Sequence, residues 1–363
     1  MDTIYTMKKY NYSAGPSILP QEVFEKSAQA ILDFNNSGLS ILEISHRSKD
    51  FVAVMDEARA LALELLGLEG KGYKALFLGG GASLEFLMVP YNLMKENGKA
   101  AYLDSGTWAT AAIKEAKFFG ETVIVGSSKE DNYTYVPKGY EIPTDVDYFH
   151  CTSNNTIFGT QMKEFPTTNV PVVCDMSSDI FSRVLDFSKF DIIYAGAQKN
   201  MGPAGTTLVV VKEEILGKNG RNIPSMLDYA KHIKADSMYN TPPVFSVYAS
   251  LLTLQWIKAK GGVAAVEKLN NAKAALLYGE IDRNPLFKGT AALEDRSNMN
   301  VTFLLNNPDH TETFDKMWKE AGISGLPGHR SVGGYRASIY NAMPIESVQV
   351  LVDVMQALEK SVQ

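Results

Sequence analysis

The sequence predicts an α/β protein: a large domain with a mostly parallel sheet covered by helices, then a smaller α+β C-terminal domain. Three observations carry this. Short apolar runs recur between helical stretches from residue 73 to residue 211. Those runs are apolar throughout rather than alternating, the pattern of strands buried on both faces. After about residue 260 the character changes, where a Lys-Gly-Gly break at 260–262 precedes long helical stretches with isolated strand-like segments. The expected division is therefore residues 1–260 and residues 261–363, with residues 1–19 as an N-terminal arm.

Residues 20–36 (PQEVFEKSAQAILDFNN) have helical periodicity; they open on Pro20, whose fixed φ suits a first helical turn, and stop before Gly38. Residues 50–68 make a second amphipathic helix. Strands are expected at Tyr73–Leu78, Ala100–Leu103, Thr122–Val125, Tyr148–Thr152, Pro171–Asp175, Asp191–Ala195 and Thr207–Val211, with helices over 84–95 and 107–118 between several of them. The C-terminal part reads as helix 263–280, strand 299–305, helix 311–321, strand 335–340 and helix 344–360. In open parallel sheets of this kind ligands bind beyond the carboxyl ends of the strands.

A chain of 363 residues, 45% hydrophobic, can bury well-formed cores. Its formal net charge of −6 argues against a general nucleic-acid surface. The two cysteines, Cys151 and Cys174, sit inside apolar runs and read as buried free thiols of a reducing compartment; no Cys/His spacing suggests zinc. The stretch MDTIYTMKKYNYSAGPS holds no apolar segment like that of a signal peptide, and no apolar stretch is long enough to span a membrane. A soluble cytoplasmic protein is expected.

The most informative stretch is FDIIYAGAQKNMGPAG, residues 190–205. A strand-like run ends in a small-residue turn that holds one lysine, Lys199. Desolvation disfavours a charged amine there, and the cost is accepted mostly where the amine has work to do, Schiff-base formation being the commonest such work. Upstream, the run Val172-Val173-Cys174 ends in Asp175. Taken singly, each is an ordinary loop residue. An acid and a lysine at the ends of two such strands form the pair that pyridoxal phosphate needs, one for its ring nitrogen and one for its aldehyde. GGGASLEF, 79–86, follows a strand and opens a helix, so its backbone N–H groups and Ser83 can cradle a phosphate. It is neither a dinucleotide fingerprint nor a P-loop.

The strings NYSAGPSILP, EISHRSKDF, GGGASLEF, DMSSDIFSR, YAGAQKNMGPAG, YNTPP and GLPGHRSVGGYRASIYNAMP occur in order along the chain. Together they closely resemble the phosphoserine aminotransferase family, class V enzymes of the fold-type I pyridoxal-phosphate-dependent transferases. The resemblance implies a homodimer with one pyridoxal phosphate per subunit, held as a Schiff base on Lys199, and with the N-terminal arm near the active site. It implies that Asp175 pairs with the pyridine nitrogen, that Trp108 stacks on the ring, and that Thr156 lies near the cofactor hydroxyl. Ala82, Ser83, Ser177 and Gln198 match phosphate contacts, and Asn240 and Thr241 match a loop that reaches the neighbouring subunit's cofactor phosphate. Some family members carry a basic residue where this chain has Ala82, so the phosphate here would rest on backbone donors and Ser83.

The chain has only eight arginines and five histidines, so the pairs His46-Arg47 and His329-Arg330, and Arg336 after two glycines, stand out. Arginine forks suit carboxylates and phosphates. By resemblance, Arg336 binds the α-carboxylate. His46 and Arg47 from the other subunit join His329 and Arg330 around the distal anion. The implied reaction is reversible ping-pong amino transfer from L-glutamate to 3-phosphohydroxypyruvate, giving O-phospho-L-serine and 2-oxoglutarate, in L-serine biosynthesis. The same chemistry on 4-phosphohydroxy-L-threonine, in pyridoxal phosphate biosynthesis, is an alternative that the residues leave open. A cysteine desulfurase, the more distant alternative, needs an exposed mobile cysteine, which neither Cys151 nor Cys174 offers.

Overall fold

The computed structural model describes residues 9–362. Residues 1–8 of the expected N-terminal arm lie outside the described residues. In chain order, β1 (Tyr10–Asn11), α1 (Gln21–Leu32) and α2 (Lys49–Leu66) lead to β2 (Tyr73–Leu78), α3 (Gly81–Leu93), β3 (Lys99–Asp104), α4 (Thr107–Ala116) and β4 (Glu121–Ser127). Then come β5 (Phe149–Thr152), the short hairpin β6 (Asn154–Asn155) and β7 (Thr160–Gln161), β8 (Val172–Asp175), β9 (Ile192–Gly196) and β10 (Thr207–Lys212). Helices α5 (Tyr229–Lys234), α6 (Val244–Ala259) and α7 (Gly262–Arg283) precede β11 (Phe287–Gly289), β12 (Asn300–Leu305), α8 (Thr311–Glu320), β13 (Ile323–Ser324), β14 (Tyr335–Ser338) and α9 (Ile345–Val362).

Seven strands form the main sheet in the order β2-β10-β9-β8-β5-β3-β4, with β10 antiparallel to both its neighbours and the rest parallel. The period-2 geometry of a strand sends alternate residues to opposite faces. On one face Phe77, Leu103, Cys151, Cys174, Ile193 and Leu208 pack with α2 and α6. On the other, Leu76, Tyr102, Val173, Tyr194 and Val209 pack with α3 and α4. Covering both faces is why the strands read as uninterrupted apolar runs. Each fully buried large apolar side chain stabilises this arrangement by about 1.5–3 kcal/mol. Cys151 and Cys174 are free, buried and directly paired across β5 and β8, with the sulfurs 3.7 Å apart.

A second apolar core joins the C-terminal half of α7 and the length of α9 to β12, β14 and α8. Tyr12 and Ile18 from the N-terminal segment lie in this second core, and β1 pairs in parallel with β13. Helix α7 serves both cores: Val263 and Val266 belong to the first, Leu277 and Ile281 to the second.

Several element ends differ from expectation. The helix expected over 20–36 stops at Leu32, and Asn35 and Asn36 turn the chain with φ of 54° and 57°. Helix α3 starts at Gly81 rather than 84, so the glycine turn is itself the first turn of the helix. The strand expected over 335–340 ends at Ser338. Helix α6 was not among the expected elements: it is buried on two sides, against the main core through Val247 and Leu251 and against Leu19 and Val23 through Leu252, and so lacks an amphipathic stripe.

Candidate active site

The carboxyl ends of β2, β3, β5, β8 and β9 lie along one edge of the sheet, at Leu78, Asp104, Thr152, Asp175 and Gly196. The loops that leave those ends enclose a cleft of about 370 Å³. Ten sequence-predicted residues line it: Ala82, Ser83, Trp108, Thr156, Asp175, Ser177, Gln198, Lys199, His329 and Arg336.

Lys199 sits three residues beyond β9. Its Nζ donates to the Thr156 hydroxyl at 2.8 Å and stands 5.9 Å from the centre of the Trp108 ring. Burial lowers the amine to about 8; Asp175 pulls the other way and Arg336 adds to the fall. A lysine near 8 carries far more neutral, nucleophilic amine at neutral pH than one at 10.5. Thr156 reaches the amine because the β6–β7 hairpin presents it, with Gly159 N–H closing the turn on the Asn155 carbonyl at 2.9 Å.

Asp175 ends β8 and is buried. Its Oδ1 accepts the Ser177 backbone N–H at 2.9 Å, and the Ser177 hydroxyl accepts the Gly196 N–H at 3.1 Å. The two strand ends are thereby tied together. Burial pushes the Asp175 carboxyl up, offset in part by Ser177 and by the Lys199 charge.

At the β2–α3 junction Gly80 and Gly81 adopt φ of 101° and 70°, a left-handed path that favours glycine. This brings the first turn of a 13-residue helix, with its free N–H groups and Ser83, to the cleft wall. Trp108, in the first turn of α4, leaves 39% of its surface exposed, a flat aromatic face on the cleft.

Arg336 on β14 donates from Nη1 to the Thr156 carbonyl at 3.2 Å. Its Nε is buried without a partner among the described residues. An unpaired buried donor is costly, and an incoming carboxylate would satisfy it. His329 is half-buried; burial, Arg336 and Arg330 all lower its pKa.

His46, Arg47, Asn240, Thr241 and Arg330 do not line the cleft of their own chain. His46 is half-buried and the other four are exposed. The Arg47 Nε lies 3.4 Å from the His46 ring, and the Asn240 amide donates to the Thr241 carbonyl at 3.1 Å.

The N-terminal segment supplies lining residues that the sequence did not single out, Ala14 and Gly15. Ser17 N–H donates to the Gln198 carbonyl at 2.9 Å and its hydroxyl to the Lys199 carbonyl at 2.5 Å. Gly15 has φ +141°, and a Cβ there would press on the Lys199 Cγ at 3.3 Å. Phe86, Thr152, Asn154, Ile157 and Ser178 also line the cleft without having been predicted; no residue-type signal separates them from core positions.

An amine, a buried acid, a flat aromatic face and a helix N-terminus around one cavity fit a phosphorylated pyridine aldehyde. The class-V aminotransferase model matches residues 9–351. The chain belongs to the class-V aminotransferase family. This family member is 88% identical over 356 residues to a phosphoserine aminotransferase of Flavobacterium johnsoniae, covering 98% of this chain and all of that one. The phosphoserine aminotransferase of Bacillus circulans subsp. alkalophilus superposes on it with a TM-score of 0.95 at 44% identity, covering 99% of this aminotransferase and all of the other. The pyridoxal-phosphate-bound enzyme of Trichomonas vaginalis gives 0.90 at 36% identity, covering 96% and 100%.

Proposed function

We infer that this class-V aminotransferase is a phosphoserine aminotransferase, moving the amino group of L-glutamate to 3-phosphohydroxypyruvate to give O-phospho-L-serine and 2-oxoglutarate. The observation that carries this reading is the run of contacts Lys199–Thr156–Arg336, which sets an amine of lowered pKa beside a guanidinium with an unsatisfied donor. The identity of its relatives supports the choice of substrate.

Bound pyridoxal phosphate supplies the electron sink for the pair left on the amino acid's α-carbon. The chain's own residues do the rest. Asp175 would hold a proton at the ring nitrogen, its carboxylate kept charged by that partner despite burial. Ser83, Ser177, Gln198 and the backbone at Ala82 would hold the phosphate. Trp108 would cover one face of the ring and keep water from it. Lys199 Nζ takes the α-proton, steered by the Thr156 hydroxyl. Arg336 orients the α-carboxylate, which places the α-hydrogen toward Lys199.

We propose that the active enzyme is a homodimer. His46, Arg47, Asn240 and Thr241 would complete the partner's site, the first two with His329 and Arg330 around the distal phosphate or carboxylate. Their absence from their own cleft supports this reading. Two further proposals are a cytoplasmic location, consistent with the lack of any described helix long and apolar enough to cross a membrane, and a domain boundary near residue 260, supported by a distinct C-terminal core, with Val263 and Val266 of α7 still packed in the main core.

The test is spectroscopic. Added L-glutamate is expected to convert the visible band of the cofactor-loaded protein to the amine form, and 3-phosphohydroxypyruvate to restore it. Conversion without restoration would refute the acceptor; no band after adding pyridoxal phosphate would refute the role of Lys199.

A further inference from the structure

Asn200 follows the site lysine but does not line the cleft. Its amide donates to the Ser178 carbonyl at 3.0 Å, and its Oδ1 accepts the Asn341 backbone N–H at 3.0 Å. The Asn341 side chain accepts from Asn270 on α7 at 2.9 Å and donates to the carbonyls of Ile180 and Phe181 at 3.4 and 3.3 Å. One turn further along α7 lies Lys273, only 1% exposed. Its Nζ donates to two consecutive carbonyls, Ile339 at 3.0 Å and Tyr340 at 2.7 Å. Both of those residues are fully buried.

The segment 339–341 follows β14 and lies three residues beyond Arg336. It crosses from the C-terminal core, which holds Ile339, to the main domain, which Asn341 touches at residues 180, 181 and 200. Its carbonyls at 339 and 340 are held by a side chain from the helix shared by both cores. The Tyr340 carbonyl also accepts the Met343 N–H at 2.9 Å, so an apolar residue at 273 would remove one of its two donors and would take from the buried Ile339 carbonyl the donor Lys273 supplies, loosening the strand end. Burial lowers the Lys273 amine to about 7. A neutral amine still has two N–H donors for the two carbonyls, so the clamp does not depend on charge.

We propose that Lys273, together with Asn341, is a positioning residue for the substrate's α-carboxylate, fixing the end of β14 so that the Arg336 guanidinium stands at a set distance from the Lys199 amine. The proposal rests on the reading of Arg336 as the carboxylate-binding group. Displacement of about 1 Å at such a contact costs on the order of 10²-fold, so even partial loosening is measurable.

The experiment uses the cofactor-loaded enzyme and its Lys273→Met and Lys273→Gln variants, with 2-oxoglutarate binding followed by calorimetry. Lys273→Met is expected to weaken binding about tenfold. Lys273→Gln, which keeps an N–H donor one bond shorter, is expected to fall between it and the parent. Cofactor affinity and the visible band are expected to hold, because Asn200 and Ser17 still secure the lysine turn. In turnover, KM for both substrates is expected to rise and kcat to fall with it, because a displaced Arg336 aims the α-hydrogen less well at Lys199. Parental affinity in folded Lys273→Met, or equal losses of cofactor and dicarboxylate binding, would overturn the proposal. Should Lys273→Met not fold, Lys273→Gln is judged by the same criteria. Arg336→Lys is the control. If it too leaves 2-oxoglutarate binding unchanged, the underlying reading of Arg336 has failed. If it weakens binding and the Lys273 variants do not, the positioning proposal alone has failed.

Discussion

Lys199→Met is expected to stabilise the cofactor-free protein at neutral pH while abolishing turnover. The amine is lowered from 10.5 to about 8, chiefly by burial. At about 1.4 kcal/mol for each factor of ten, that displacement is a folding penalty of roughly 3 kcal/mol. The sign follows from proton counting. Between pH 8 and pH 10.5 the unfolded chain holds a proton on Lys199 that the folded chain has released, so stability rises with pH across that window. The penalty is complete below pH 8 and gone above pH 10.5. Methionine fills similar volume without charge, but it forfeits the 2.8 Å hydrogen bond to Thr156, a loss of about 1–2 kcal/mol. The net expectation is a gain of about 1–2 kcal/mol at pH 7 that becomes a loss of about 1–2 kcal/mol above pH 10.5, where only the missing hydrogen bond remains. Urea unfolding of both cofactor-free proteins at the two pH values measures it. A variant no more stable than the parent at pH 7, or equally favoured at both pH values, would refute the claim that the site stores a desolvation cost in this lysine.

Asp175→Asn removes the carboxylate that the ring nitrogen would need, and kcat is expected to fall about 10²–10³-fold with the protein still folded; near-normal turnover would remove Asp175 from the chemistry. Arg336→Lys replaces a fork with a point charge and gives up the anchor on the Thr156 carbonyl, so KM for glutamate and for the keto acid is expected to rise about 10–100-fold in steady-state assays. Gly106→Ala places a Cβ 2.4 Å from Asn155 Oδ1 at the entry to the Trp108 helix. It is expected to cost about 1–3 kcal/mol and to shift tryptophan fluorescence. Because Gly106 has an extended φ of 168°, the cost is steric rather than conformational, and the double variant with Asn155→Ala is expected to recover most of it in a denaturation cycle.

The parallel sheet was legible because its strands are buried on both faces, and continuous apolar runs such as Ile192–Ala195 report that burial directly. Lys199 and Asp175 were legible for a related reason: charged groups at the ends of such runs are costly, and their presence demands an explanation. Helix α6 was not legible, since burial on two sides erases the periodicity that marks a helix. Nor was the role of Ala14, Gly15 and Ser17, whose approach to Lys199 spans more than 180 residues of chain and leaves no local pattern.

Local chemistry by itself therefore pointed to Lys199, Asp175 and the glycine turn at 79–86, and to the sheet that carries them, while Trp108, Thr156, Ser177, Gln198 and the role of Arg336 entered through the family resemblance. Only the tertiary structure decided their partners. It set Thr156 between Lys199 and Arg336, left the Arg336 Nε unsatisfied, and buried Lys273 under the carbonyls of Ile339 and Tyr340. These are contacts between elements distant in the chain. Spacing and periodicity describe a single element's faces, whereas hydrogen-bond geometry across elements is set by how those faces pack.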